Sequence, residues 1–89
     1  MTTKKEIRAV FATLCEMLGV PRYDPSLSYA ENQKREAWTL DYAACYGGWE
    51  IHRMLKRGGV SVVLGMGRLP AGEFARAMRF AIRAIGEVR

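Results

Sequence analysis

The sequence predicts an α+β domain: a three-stranded antiparallel meander with an N-terminal and a C-terminal helix packed on one of its faces. Three observations predict it. Apolar residues recur at helical spacing near both ends of the chain, and apolar and polar residues alternate through the middle. The stretch from Cys45 to Gly67 also holds six of the nine glycines, including two adjacent pairs that suit hairpin turns.

The first helix is expected over residues 4 to 18. Thr3 and Glu6 have capping-box spacing, Ile7, Val10, Phe11, Leu14 and Leu18 share one helical face, and Gly19 followed by Pro21 supplies the stop. From residue 20 to 36 the periodicity fails. Two prolines and a polar run mark a connector with one helical turn after Ser28, long enough to be functional or wrapped over the core. Arg22, Tyr23 and Tyr29 are its candidates for contacts, and pinning the loop is the plainer role for the tyrosines.

The middle is read by register. A two-residue turn at Tyr46 and Gly47 pairs Cys45 with Gly48, and one at Gly58 and Gly59 pairs Arg57 with Val60. One face then collects Trp38, Leu40, Tyr42, Ala44, Trp49, Ile51, Arg53, Leu55, Val60, Val62, Leu64 and Met66, with Arg53 the lone misfit. The opposite face carries Thr39, Asp41, Ala43, Glu50, His52, Met54, Lys56, Ser61, Val63, Gly65 and Gly67. In this register Asp41 is opposite His52, and Gly65 is beside His52 on the other side.

The last helix is expected over residues 70 to 86, opened by Pro70 and carrying Phe74, Ala77, Met78, Ala81, Ile82 and Ile85 on its apolar side. A sheet of three strands keeps two edges and one uncovered face, so a homo-oligomer, most simply a dimer, is expected.

All 89 residues form one domain, residues 1–89, with 49% hydrophobic and 26% charged side chains, a composition that folds rather than staying disordered. The amino terminus has neither the apolar core of a secretory signal nor that of a membrane span. Cys15 and Cys45 lack paired-ligand spacing, so neither a metal nor another cofactor is expected, and a reduced, cytoplasmic setting is the simplest reading. Fourteen Lys and Arg against nine Asp and Glu give +5, which suits an acidic partner: nucleic acid, a nucleotide or an acidic protein face.

Two candidate sites follow. The first is a ligand-binding group on the uncovered face, Asp41, His52, Lys56, Gly65, Gly67 and Arg68. There the two glycines leave a gap, Arg68 precedes a helix amino terminus able to receive an anion, and His52 would make binding pH-dependent near neutrality. Glu73 in that first helical turn opposes the anion, and a solvated Asp41 and His52 pair is the plainer reading. Ser61 pairs with Lys56 in this register, roughly 13 Å along the strand from His52, so no Ser, His and Asp triad closes and no enzyme is expected. The second candidate is the arginine stripe Arg76, Arg79 and Arg83 on the outer side of the last helix, which suits a phosphate track; a solvated face with Glu87 pairing Arg83 is the plainer reading.

The run "YGGW…RGGVS…RLPAGEF", within roughly residues 42 to 80 of a compact basic chain, resembles the small accessory proteins encoded by bacteriophages and prophages. Some of these block host defence by binding. The resemblance implies a bacterial cytoplasmic setting and a non-enzymatic, stoichiometric inhibitor that occludes a host complex or sequesters a nucleotide signal. It carries over no functional residue. The alternative function is a nucleic-acid-binding accessory or regulatory protein that uses the basic C-terminal helix.

Overall fold

Thr3 opens the first helix as expected: its Oγ1 accepts the backbone N–H of Glu6 at 3.1 Å. In the computed structural model, which describes residues 2–89, helix α1 runs Lys4–Leu18 and ends where Gly19 returns its N–H to the carbonyls of Cys15 and Glu16. A short helix α2 (Tyr29–Lys34) follows, capped by Ser28 at the expected turn. Strands β1 (Trp38–Ala43), β2 (Gly48–Met54) and β3 (Val60–Val62) form the antiparallel meander in the order β1-β2-β3, and helix α3 (Ala71–Val88) closes the chain. The α+β architecture is therefore the one expected. No helix among the described residues is long and apolar enough to cross a membrane.

Both long helices cover one face of the sheet. Ile7, Phe11, Leu14 and Cys15 from α1, Phe74 and Met78 from α3, and Trp38, Trp49 and Ile51 from the strands make one buried cluster. Trp49 is its aromatic centre, stacked on Phe74 at 6.2 Å and tilted against Tyr42 at 4.9 Å. Thr2 neighbours Gly72, Glu6 reaches Arg79, and Met17 lies beside Gly86, so α1 and α3 run parallel.

The register differs from expectation in two ways. Between β1 and β2, Trp38 pairs with Arg53, Leu40 with Ile51, Asp41 with Glu50 and Tyr42 with Trp49. This is a two-residue slip, because Ala44–Tyr46 form a 3₁₀ turn closed by Gly47 instead of a two-residue loop at Tyr46 and Gly47. An even slip preserves the alternation of the paired residues, so Trp38, Trp49 and Ile51 are buried and Leu40 packs against them, while Met54, expected on the uncovered face, is buried as well. Ala44 leaves the core face for the turn and is exposed, while Tyr42 is half exposed beside Trp49. Arg53, the misfit of the core face, is exposed.

Between β2 and β3 the slip is three residues, and an odd slip inverts the strand. Val60 pairs with Met54, Ser61 with Arg53 and Val62 with His52, because the turn takes all of Leu55 to Gly59. Val60, Val62 and Leu64, expected in the core, are exposed. Val63, expected outside, packs against the core, as does Met66. The strand is also shorter than expected. After Val63 donates to the Ile51 carbonyl, the chain loops out and rejoins the β2 edge at Leu69, which exchanges both backbone hydrogen bonds with Trp49. Leu64, Gly65 and Gly67 all have positive φ in this excursion.

The connector covers the outer edge of β1. Trp38 donates to the Pro21 carbonyl and Tyr23 donates to the Trp38 carbonyl, a parallel bridge that satisfies strand groups otherwise left to solvent. Asn32 holds this segment together from a fully buried position. Its Oδ1 accepts from Asp24 N at 2.9 Å and Arg35 Nη1 at 3.0 Å, and its Nδ2 donates to the carbonyls of Asp24 and Ser28, each at 3.0 Å.

Candidate functional site

The uncovered face carries a line of charges made by alternation on β1 and β2 and closed by the excursion after β3. Asp41 and Glu50 are cross-strand partners, and His52 follows Glu50 on the same face. His52 Nε2 lies 2.5 Å from Glu50 Oε1. Arg68 enters from the excursion: its Nη2 is 2.5 Å from Asp41 Oδ2 and 3.3 Å from Glu50 Oε1, and its Nη1 donates to the Gly48 carbonyl at 3.1 Å. The hydrogen bond to Asp41 raises the guanidinium above its ordinary pKa, against desolvation and with help from the Glu50 charge.

This arrangement revises the first candidate site. Asp41, His52 and Arg68 are brought together, but Asp41 faces Glu50 across the strands, and His52 faces Thr39 and Val62. Glu50 is the member that sequence reasoning left out, although it occupied the same face in either register. Lys56 lies elsewhere, in the β2–β3 turn, with Nζ 3.7 Å from Glu36 Oε1. Gly65 and Gly67 line no gap: both are exposed, and a side chain added at either would meet nothing within 4 Å. They serve the positive φ of the excursion. The glycine that does make room is Gly48, where an added Cβ would collide with the Leu69 carbonyl.

Donor atoms of Asp41, Glu50 and His52 lie within 4.8 Å of one another, a spacing a metal ion could use. Arg68 already places a cation between both carboxylates, so a metal would have to displace a guanidinium held by three acceptors. Ser61, which is beside Arg53, projects from the other side of the sheet and is even further from a triad than expected. The face is a closed network whose charges satisfy one another.

The second candidate is assembled by α3. Phe74, Ala75 and Met78 face the core, which turns Arg76, Phe80 and Arg83 directly outward. Arg76, Arg79, Phe80 and Arg83 line one shallow groove of about 280 Å³. Arg79 leans toward α1, with Nη2 3.6 Å from Glu6 Oε2. The expected pair of Arg83 with Glu87 does not form, and neither Arg76 nor Arg83 has an ion-pair partner among the described residues. Sequence reasoning found the three arginines and missed Phe80, whose signal was available: it is the large apolar residue on the polar side of the helical wheel.

The further clefts include a polar one of about 400 Å³ lined by Arg22, Tyr23, Asp24, Pro25 and Arg35, and two larger ones. One, of about 430 Å³, lies between the starts of α1 and α3 and is lined chiefly by apolar groups with Tyr42 and Lys4 at its rim. The other, of about 460 Å³, contains the connector candidates Arg22 and Tyr23 with Arg8, Phe11 and Trp38, whereas Tyr29 is exposed away from it. No family model, curated protein or solved structure matches the chain, so the likeness to phage accessory proteins brings no residue to any of these sites.

Proposed function

We propose that the protein is a non-enzymatic nucleic-acid-binding protein that engages its partner through the outer face of α3. The observation that carries this reading is the groove in which Arg76, Arg79 and Arg83 surround Phe80. Charges in a solvated helix face are commonly neutralised by neighbours at i+4. Here two of the three guanidinium groups are left without a carboxylate, on a chain of net charge +5. Such groups bind phosphates and release condensed counterions.

The test is anisotropy titration of labelled DNA and RNA with the wild-type protein and with Arg76→Gln, Arg79→Gln and Arg83→Gln combined. Binding that weakens steeply with salt and is lost in the triple variant, with the fold unchanged, supports the reading. Equal affinity of both proteins contradicts it.

A second reading, in which the protein binds and occludes a protein or pairs with its own copy, is favoured by a different observation. Val60, Val62 and Leu64 are exposed together on the outermost strand and just beyond it. Sedimentation of the wild type and of Val62→Lys tests it: a dimer that the charge dissociates supports pairing there, and a monomer in both cases removes the self-pairing form.

A further inference from the structure

Phe80 is 73% exposed at the centre of the arginine groove. It lies opposite Phe74 and Met78 on the helix and adds nothing to the core. A single exposed apolar residue is ordinary on a protein surface. This one differs in its surroundings: Arg76 is one turn before it, Arg83 one turn after it, and Arg79 beside it. Between Arg76 and Arg83 the helix rises roughly 10 Å. Glu73 and Glu87 bound the patch in sequence, so the anion-accepting length is short.

We infer that this face takes single-stranded nucleic acid, with a base stacked on the Phe80 ring and the flanking phosphates held by Arg76 and Arg83. The inference rests on the reading that α3 binds nucleic acid, and it specifies which form. In a duplex the base faces are hidden in the stack and only edges and backbone are offered. A helix reading a groove needs hydrogen-bonding side chains at its centre, and the centre here is a phenyl ring. Unstacked bases offer a π face to such a ring, and guanidinium groups beside it suit the phosphates between them. Ala84 and Val88 extend the apolar row along α3, so a partner helix is the competing occupant. The three arginines around Phe80 favour a polyanion over an apolar helix.

The test compares oligothymidylate, oligouridylate and a duplex of equal phosphate number, bound to the wild type, Phe80→Ala, Phe80→Trp and the Arg76→Gln, Arg83→Gln pair. Phe80→Ala should weaken single-strand binding roughly tenfold and change duplex binding by less than about twofold. Phe80→Trp should keep the affinity and report binding by fluorescence quenching, distinguishable because Trp38 and Trp49 are buried. The two single strands separate DNA from RNA as the source. If Phe80→Ala leaves single-strand binding intact while the arginine pair loses it, stacking is overturned and nucleic-acid binding stands. Loss of self-association in Phe80→Ala, with nucleic-acid affinity unchanged, assigns the face to protein and also overturns stacking. Failure of the wild type to bind any of the three nucleic acids overturns both readings.

Discussion

Arg68 reaches from the excursion after β3 to Asp41 on the far strand, Nη2 to Oδ2 at 2.5 Å, and so ties the irregular edge of the sheet to its opposite side. The same guanidinium touches Glu50 and the Gly48 carbonyl, so one side chain spans β1 and β2. Leu64, Gly65 and Gly67 put the chain in left-handed conformations, which glycine adopts freely and Leu64 does not, and Arg68 with Leu69 returns it to the sheet.

Arg68→Met should therefore lower the melting temperature and increase hydrogen exchange at the amides of residues 64 to 69 before the rest of the sheet. Arg68→Lys keeps the charge but not the planar fork and should restore only part of the loss. Thermal melts with amide exchange decide it; uniform exchange across the sheet in Arg68→Met would contradict the clasp.

Gly48→Ala and Gly65→Ala separate two uses of glycine. The Cβ at residue 48 would collide with the backbone of Leu69 and Pro70 and break the Trp49–Leu69 bridge, at about 3 kcal/mol or more. At residue 65 there is open space, and only the left-handed φ is penalised, at about 1 kcal/mol. Chemical denaturation of both variants measures the difference.

What the sequence disclosed followed from signals local in the chain. The cap at Thr3 and the stop at Gly19 placed α1 to the residue, because a helix is specified by neighbours three and four positions apart. Faces of β1 and β2 survived a wrong turn length since the slip was even, whereas the odd slip at Leu55 to Gly59 turned Val60 and Val62 outward. Gly58 and Gly59 do lie in a turn, but its length is set by which residue of β2 stops pairing, and that depends on Met54 bonding to Ala37 across the sheet. Arg68 joined Asp41 through a contact 27 residues distant in the chain, which no spacing rule reveals. Phe80 is legible as the large apolar residue on the polar side of α3, a position that the core periodicity of Phe74 and Met78 does not mark.

Asn32 organises the connector by filling four hydrogen bonds from a position without solvent. Asn32→Ala removes four part-buried hydrogen bonds and should cost about 1–2 kcal/mol, since water can reach some of the partners left behind. Asn32→Asp, of the same shape, should do no better, since it turns an acceptor toward the carbonyls of Asp24 and Ser28. Urea denaturation of the two variants checks both statements.

The two thiols should differ in reactivity. Cys45 is exposed, while Cys15 is buried, and burial pushes its thiol up to about 11 from an ordinary 9.0, opposed in part by Arg22. One thiol should be alkylated quickly in the folded protein and the second only on unfolding. Because the folded-state value is raised, the neutral thiol's contribution to stability is complete below about pH 9 and is lost as pH rises toward about 11. Cys15→Ala should flatten that alkaline decline in melts recorded across this range.

The most direct measurement of the central claim is the salt dependence of single-strand affinity in the wild type and in Arg76→Gln, Arg83→Gln. These two guanidinium groups lack carboxylate partners, and Arg79 is engaged by Glu6. If α3 holds phosphates, removing the pair should reduce the magnitude of the slope of log affinity against log salt by about 1.4, the share of two phosphate contacts on a single strand, whereas Arg79→Gln alone should change it less. An unchanged slope, with affinity retained in the double variant, would contradict nucleic-acid binding by this helix.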